Sequence, residues 1–349
     1  MHPTPPSASS GHSHAVRATL TYLYRVLLSI MMRGPIAILY EHPEWFTPLF
    51  AELDRRGVPY EKVHAPTHVF NPSERVPHYR LIVNRMSPSA WLRGATQALF
   101  FTAEYLAYLE AIGTPVVNGR NAYRYEISKA QQCSLAAKLG LLYPRTRVIN
   151  DTARAREAAE GLAFPVLVKP NIGGSGAGIQ SFATPDELEH AARSGALRMG
   201  PDHTALVQEH LPAEGDSIVR IEILGREFLY AIRLRFTPGT FNLCPADYCR
   251  APGMNDGVSG RGVPIEVCNP PRELIDQAKL LVRAAGMDLG GVEYLINARD
   301  GKPYFYDINA LSNFVADAPN IIGFDPFVDL VDFILERASL RGLTGIGVR

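Results

Sequence analysis

The stretch that most constrains the fold is a short apolar run that ends in a lysine and continues directly into a glycine-dense loop. Pro165–Lys169 has the composition of a buried strand. Four of the six residues in Gly173–Gly178 are glycine. Glycine weakens regular structure, but its missing Cβ lets backbone N–H groups approach a polyanion closely. The stretch therefore predicts a strand and a phosphate-binding loop, with the charge of Lys169 at the strand end.

Two common phosphate-binding motifs are excluded by the residues of this loop. A Walker loop ends in Gly-Lys-Ser/Thr, whereas Gly178 is followed by Ile179 and Gln180. A dinucleotide fingerprint counted from Gly174 and Gly176 would need a third glycine where Ile179 stands. A flexible surface loop remains the alternative interpretation of these residues on their own.

The composition is that of an ordinary globular protein with enough chain for two or three domains. Of the 349 residues, 46% are hydrophobic and 20% are charged. The formal net charge is zero, so no overall field favours a nucleic acid or an anionic membrane. Cys133, Cys244, Cys249 and Cys268 lack the spacing of a zinc or redox motif. We therefore expect free thiols and a cytoplasmic protein.

Residues 1–32 differ in composition from the rest of the chain. Residues 1–14 are rich in Pro, Ser and His and are predicted to be disordered. Residues 15–32 are apolar with two arginines and no acidic residue, as in a transit peptide or an interfacial helix. Met31 and Met32 stand just before the first convincing strand, which favours reading residues 1–32 as an upstream extension.

Strands and helices alternate from Pro35 onward, which predicts an α/β fold in three parts. Residues 33–118 predict a Rossmann-like lobe with a small parallel sheet, residues 119–212 a central lobe with the glycine loop, and residues 213–349 a C-terminal lobe. Single long helices are predicted over Ser89–Ile112 and Asn121–Leu139. Residues 237–264 are rich in Gly, Pro, Asn and Asp and predict a long functional loop.

Three polar residues, Glu293, Asp307 and Asn309, interrupt otherwise apolar strands near the end of the chain. Buried carboxylates are costly unless they are paired or bind a cation. Asp307 and Asn309 share one face of a strand, and carboxylate and amide oxygens suit Mg²⁺. A three-residue loop at 300–302, with Gly301 in the left-handed conformation, would place Glu293 opposite Asn309, and we expect this register. A solvated edge face is the alternative.

Taken in order, these features resemble the ATP-grasp superfamily over residues 33 to 337, nearly the whole chain beyond the extension. The order is Lys129, Lys169 with its glycine loop, Gln208–Leu211, an arginine-bearing hairpin and the acidic hairpin. Within the superfamily, the chain looks most like RimK-type and glutathione-synthetase-like carboxylate–amine ligases. The resemblance implies an ATP-grasp fold in which a Rossmann-like N-terminal lobe precedes two α+β lobes that clasp ATP.

The resemblance also implies a role for each matching residue. The nucleotide would contact Lys129, Lys169, Gly173, Gly174, Ser175, Gly176, Gln208, Glu209, His210 and Leu211, with Asp216 or Glu214 at the ribose. Arg220 and Arg233 match arginines that face the transferred phosphate and the acyl phosphate, and Arg235 is the alternative to Arg233. Glu293, Asp307 and Asn309 match the ligands of one or two Mg²⁺ ions, or of Mn²⁺ in their place.

The chain departs from the family pattern at three places. Glu293 and Asp307 exchange the usual Asp and Glu of the metal site, which leaves the number of metal ions open. Ser128 replaces the usual Asp before the first lysine. Residues 310–313, Ala-Leu-Ser-Asn, replace the usual turn near the acceptor, which leaves the substrate class open.

The activity implied by the resemblance is ATP-dependent ligation of a carboxylate to an amine, through an acyl phosphate, with release of ADP and phosphate. The implied partners are a small-molecule acid and amine, with no nucleic acid and no membrane, and homo-oligomers are usual among similar proteins. An ATP-grasp small-molecule kinase and a non-catalytic ATP-binding regulatory protein remain alternatives. An NAD-dependent enzyme is disfavoured because Glu41-His42-Pro43 stands where a glycine fingerprint would follow the first strand.

Overall fold

The structure is a computed structural model that describes residues 34–42, 44–235 and 264–340. The predictions for residues 1–32, for the loop from 237 to 263, and for Cys244 and Cys249 lie outside these residues. Cys133 and Cys268 are free thiols, as predicted. Among the helices of the described ranges, none combines the length and the apolar character of a membrane-spanning segment.

The first sheet has four parallel strands in the order β2-β1-β3-β4, which confirms the predicted parallel sheet. Its elements are β1 (Ile36–Tyr40), α1 (Thr47–Arg55), β2 (Tyr60–His64), β3 (Leu81–Arg85), α2 (Thr96–Ala111) and β4 (Val116–Val117). The single helix predicted over Ser89–Ile112 is wrong. A 3₁₀ helix, Pro88–Arg93, precedes α2, and Gly94 separates the two at a φ of 80° that favours glycine.

The second sheet has the order β5-β8-β6-β7 with antiparallel neighbours. Its elements are α3 (Arg120–Glu126), α4 (Lys129–Lys138), β5 (Thr146–Ile149), α5 (Ala155–Ala158), β6 (Val166–Pro170), β7 (Gln180–Phe182), α6 (Pro185–Arg193) and β8 (Ala205–Glu209). The single helix predicted over Asn121–Leu139 is also wrong. Ser128 has an extended backbone and caps α4 by accepting a hydrogen bond from the Gln131 N–H, so the chain turns between α3 and α4.

The third sheet has the order β11-β10-β9-β12-β13 with antiparallel neighbours. Its elements are β9 (Ser217–Leu224), β10 (Glu227–Arg235), β11 (Ile265–Val267), α7 (Arg272–Ala284), β12 (Leu289–Ile296), β13 (Pro303–Asn309), α8 (Ala318–Ile322) and α9 (Pro326–Leu340). One face packs with α7. The other shares a core with the first lobe, in which Ile36 and Leu49 cluster with Ile218 and Leu330. This shared core fixes the first sheet against the third.

The predicted register of the acidic hairpin is wrong. Glu293 pairs with Asp307, and Asn309 pairs with Gly291. The turn is longer than the predicted three residues. The Asn297 N–H donates to the Lys302 C=O at 2.9 Å and closes it. That turn alone would set Glu293 opposite Tyr306, but a β-bulge beside Glu293 shifts the register by one residue. Gly301 is left-handed at a φ of 68°, as predicted.

Candidate active site

A cleft at the junction of the three sheets brings together most of the residues predicted for the site. Its volume is about 150 Å³, and it opens to solvent. From the predicted set, it is lined by Lys129, Lys169, Gly173, Gly174, Ser175, Gly176, Arg220, Glu293, Asp307 and Asn309. The first lobe adds Trp45 and Ser87–Ser89 to the lining. Residues that are far apart in the sequence thus face one space.

Two lysines supply positive charge to one wall of the cleft. Lys129 begins α4, and its ammonium forms an ion pair with the carboxylate of Asp307. Lys169 lies in β6 and is buried. Burial and the neighbouring charge of Lys129 lower the pKa of Lys169 to about 8. A buried cation with a depressed pKa is stabilised when an anion enters the cleft.

The glycine loop folds over the cleft and reaches the first lobe. Gly178 is left-handed at a φ of 75°, and a Cβ there would lie 2.9 Å from Pro170 Cγ, so this position requires glycine. A Cβ on Gly174 would lie 3.3 Å from the Cβ of Ser89. The loop therefore packs closely against the 3₁₀ helix of the first lobe. This contact places backbone groups of residues 173–176 on the cleft wall.

Arg220 lies in β9 at the base of the cleft, and each guanidinium nitrogen has a partner. Nε donates to Glu222 at 2.6 Å, Nη1 donates to Glu293 at 2.8 Å, and Nη2 donates to Ser312 Oγ at 3.2 Å. Burial acts to lower the pKa of Arg220, but the carboxylates of Glu222 and Glu293 raise it above its usual value. Arg220 is thus a fixed cation beside one of the predicted metal ligands.

Glu293 and Asp307 lie opposite each other on adjacent strands, so their side chains share one face. Burial and the nearby Asp307 raise the pKa of Glu293 against the opposing effect of Arg220. Burial also acts to raise the pKa of Asp307, but Lys129 lowers it. The Asn309 amide lies beside them and donates to Asp307 at 3.4 Å. Two carboxylates and an amide oxygen form a donor set that fits Mg²⁺.

That donor set depends on the amide of Asn309. Within residues 34–42, 44–235 and 264–340, no group of three or more His, Cys, Asp or Glu side chains is arranged to hold a metal ion. The set of Glu293, Asp307 and Asn309 contains only two such residues. The oxygen-only ligands favour a hard cation over zinc or copper.

The predicted hinge does not line this cleft. Gln208 and Glu209 end β8, where the Gln208 amide donates to Thr146 at 2.7 Å and the Glu209 carboxylate accepts from the Ala163 N–H at 2.8 Å. The His210 N–H donates to the Pro165 C=O at 3.0 Å, and the side chain of Leu211 is buried. These residues adjoin the strand that carries Lys169. Asp216 and Glu214 are exposed beyond it, away from the cleft lining.

Arg233 and Arg235 lie on the opposite face of the sheet from Arg220. In the register of β9 and β10, Arg220 pairs with Ile232, whereas Arg233 pairs with Val219. Both arginines instead contact Glu266, at 3.6 Å and 3.1 Å. The reason is a bulge between Phe228 and Tyr230, which shifts the register by one residue and turns Arg233 away. The expectation that Arg233 faces the cleft is therefore corrected.

Two ionisable side chains of the cleft, Glu126 and Tyr306, were not identified from the sequence. Glu126, at the end of α3, is buried, and its carboxylate accepts a hydrogen bond from the Ala310 N–H. Burial raises its pKa to about 7. Tyr306 also lines the cleft. Glu126 precedes Lys129 by three residues in the sequence. Because one continuous helix was predicted across both residues, the turn that directs Glu126 into the cleft was not predicted.

Comparison of sequences with curated proteins finds distant relatives, although no family model matches the chain. The chain is 25% identical over 252 residues to the D-alanine–D-alanine ligase of Geobacter sulfurreducens, which covers 67% of this chain and 72% of that protein. It is 25% identical over 179 residues to the carbamoyl phosphate synthase large chain of Acidobacterium capsulatum. That match covers 49% of this chain but spans only 15% of the length of the relative.

Solved structures decide the fold. The ATP-grasp ligase PsnB complexed with a minimal precursor superposes with a TM-score of 0.61 at 18% identity, over 87% of this chain and 99% of that one. The chain has the ATP-grasp fold. The RimK domain protein of Sphaerobacter thermophilus, also an ATP-grasp structure, superposes with a TM-score of 0.60 at 18% identity, over 86% and 99% of the two chains. The ATP-grasp resemblance read from the order of the motifs is thus confirmed at the level of the fold.

Proposed function

We propose that this ATP-grasp protein is an ATP-dependent ligase that joins a carboxylate to an amine. The observation that carries the proposal is the convergence of Lys129, Lys169, the glycine loop, Arg220 and the Glu293–Asp307 pair in one cleft. Proteins of the same fold support it: PsnB is described with Mg and ADP, and a D-alanine–D-alanine ligase of Bacillus anthracis with ATP. The ligands of those proteins match the chemistry of the cleft residues.

In this proposal, the two lysines and the backbone N–H groups of residues 173–176 hold the phosphates of ATP. A buried ammonium beside phosphate oxygens provides charge stabilisation that needs no rearrangement during the reaction. Residues 208–211 would border the base, and Asp216 the ribose, as the resemblance implies. Glu293, Asp307 and Asn309 would hold Mg²⁺, which supplies charge neutralisation between phosphate groups when bound.

The two proposed steps consume only ATP, the acid and the amine. A carboxylate oxygen of the acid forms a bond to the γ-phosphorus while the bond to ADP breaks, which gives an acyl phosphate. The amine nitrogen then attacks the acyl carbon, inorganic phosphate leaves, and the nitrogen loses a proton. Arg220 is the guanidinium that lies at the base of the cleft, and it would stabilise charge on the transferred phosphate. Arg233 takes no part in this scheme.

The organisation of the chain follows from the same proposal. We infer a pre-ATP-grasp lobe over residues 33–118, a central lobe over 119–212 and a C-terminal lobe over 213–349, each with one of the three sheets. A cytoplasmic location, a homo-oligomeric state and the use of Mn²⁺ stay predictions. The acid and the amine are small molecules in this proposal.

Measuring ADP and phosphate release by the full-length chain tests the proposal. The chain is incubated with Mg-ATP and pools of carboxylic acids and amines, beside Asp307→Asn and a matched control, Asp300→Asn, which lies on the exposed hairpin loop. A ligase releases equal amounts of ADP and phosphate, only when one acid and one amine are present, and only Asp307→Asn abolishes release. ADP without phosphate would instead indicate a kinase. Tight ATP binding without turnover in any pool would favour a regulatory protein.

A further inference from the structure

The β-bulge in the acidic hairpin changes which side chains face the cleft. In a regular strand, residues two apart share a face, so Phe305 and Ile308 would point in opposite directions. Both of them pack in the core beneath α7. The phase of β13 therefore changes between them, and the extra residue is Tyr306. As a result, two consecutive side chains, Tyr306 and Asp307, line the cleft.

The hydroxyl of Tyr306 is an unusual group for this position. The ring packs beside the core that joins the first and third sheets, whereas the hydroxyl oxygen is buried and has no hydrogen-bond partner of good geometry among the described residues. Buried hydroxyls are nearly always hydrogen-bonded, so an unsatisfied one calls for an explanation. An ordinary phenol is neutral at physiological pH, so this hydroxyl is a hydrogen-bond donor.

The β-bulge leaves Tyr306 as the extra residue beside the Glu293–Asp307 pair, and the carboxylate of Glu293 interacts with the Tyr306 side chain. One of the carboxylate oxygens, Oε1, already accepts from Arg220 Nη1 at 2.8 Å. A carboxylate that binds a metal ion is usually oriented by hydrogen bonds from neighbouring donors, and loss of such a donor weakens metal binding. A neutral donor orients the carboxylate without competing with the metal ion for the negative charge of the carboxylate. A lysine or arginine would compete for that charge.

We propose that Tyr306 is a positioning residue that donates a hydrogen bond to Glu293 and thereby holds this carboxylate in place for the metal ion. The inference rests on the proposed function, because it takes Glu293 to be a metal ligand. The bulge is then the feature that delivers the donor, because without it the side chain of residue 306 would point away from Asp307.

The test compares Mg²⁺ affinity in the Tyr306→Phe variant and the wild-type full-length chain, by calorimetric titration of Mg²⁺ in the presence of ADP. We expect Mg²⁺ binding to weaken by about 10-fold or more, with ADP affinity in the absence of Mg²⁺ unchanged. The matched control is Tyr304→Phe, because Tyr304 lies on the same strand and its hydroxyl bonds Asp300 on the exposed loop at 2.8 Å. Unchanged Mg²⁺ affinity in Tyr306→Phe would overturn the inference.

A double-mutant comparison keeps the inference testable if Tyr306→Phe also perturbs packing. Should Tyr306 act through Glu293, the Glu293→Gln,Tyr306→Phe double variant binds Mg²⁺ no more weakly than Glu293→Gln alone. Additive losses would show that Tyr306 acts elsewhere. A wild-type chain whose ADP binding is independent of Mg²⁺ would contradict the proposed function itself, a result distinct from the failure of Tyr306→Phe alone.

Discussion

Lys129 and Asp307 form an ion pair across the cleft although 178 positions separate them in the sequence. The lysine begins α4 and the aspartate lies near the end of β13. Both groups are largely shielded from solvent, with 14% and 20% of their side chains exposed. If Asp307 holds a metal ion and Lys129 holds a phosphate, this pair is the contact that ligands must replace. Asp307 then exchanges Lys129 for another cation, and Lys129 exchanges Asp307 for another anion.

The first prediction concerns the loss of the Asp307 charge. We expect Asp307→Asn to reduce ADP release by at least about 100-fold, since it removes a metal ligand. In the absence of Mg²⁺, the same variant binds ADP more tightly than the wild type, because Lys129 is no longer paired and a negative charge near the phosphates is gone. The ADP-release assay measures the first effect, and calorimetric titration of ADP with and without Mg²⁺ measures the second. Equal Mg²⁺ dependence in variant and wild type would contradict the assignment.

The second prediction concerns the pH dependence of nucleotide binding. The pKa of Lys169 is lowered to about 8, so the free protein loses this positive charge as the pH rises through that value. Phosphate binding favours the protonated form of Lys169 and raises the pKa of this lysine. ADP affinity should therefore fall by up to tenfold per pH unit above about pH 8, and binding near pH 8.5 should take up a proton.

Calorimetry in two buffers of different ionisation enthalpy measures that proton uptake. The Lys169→Met variant binds more weakly and loses both the uptake and the decline above pH 8. Lys138→Met, at the exposed end of α4, is the matched control and should retain them. A decline that persists in Lys169→Met would assign the titration to another group.

The third prediction separates the two hairpin arginines by stability. Arg220→Met leaves Glu222, which is fully buried, and Glu293 without their cation, so we expect a loss of about 3–5 kcal/mol in the free energy of unfolding. Arg233 is 41% exposed and its ion pair with Glu266 spans 3.6 Å, so Arg233→Met costs less than about 1 kcal/mol. Denaturant titrations measure the difference. Arg233→Met should also leave ADP release intact. If this variant loses ADP release, Arg233 is a residue of the active site.

The order of the motifs was enough to predict the fold and most of the charged residues of the cleft. Phosphate and metal chemistry favours particular residue types, so Lys169, Glu293, Asp307 and Asn309 could be predicted as candidates without knowledge of packing. The family resemblance added Lys129. Their placement depends on strand ends and helix starts, which the alternation of elements indicates. These features survive small errors in the predicted boundaries.

The face of the sheet on which a side chain lies could not be predicted, because it depends on one-residue shifts in the register of the strands. One bulge in β10 turns Arg233 to the far face of the sheet, and another in β13 brings Tyr306 into the cleft. A bulge has no clear sequence signal, yet it inverts every side chain beyond it. Glu126 was missed for a related reason, since the turn at Ser128 interrupts a pattern that looks continuously helical.

The last prediction follows from Glu126. Burial raises its pKa from 4.5 to about 7, so between these values the folded state binds more protons than the unfolded state. The stability contributed by the protonated form is present below pH 4.5 and is lost as the pH rises through about 7. The wild type should therefore lose about 3 kcal/mol relative to Glu126→Gln across this range, since glutamine stays neutral and keeps an oxygen to accept from the Ala310 N–H.

Denaturant titrations of the ligand-free chain from pH 4.5 to 8 measure this difference. Glu126→Gln and the wild type should be similar in stability at pH 4.5, and the variant should be the more stable above pH 7. Glu157→Gln is the matched control, because Glu157 is an exposed helical glutamate paired with Arg154 at 2.8 Å, and its difference from the wild type should stay small over the range. A constant difference between Glu126→Gln and the wild type would mean that Glu126 is ionised in the folded protein throughout, held so by the backbone donors of residues 310 and 311.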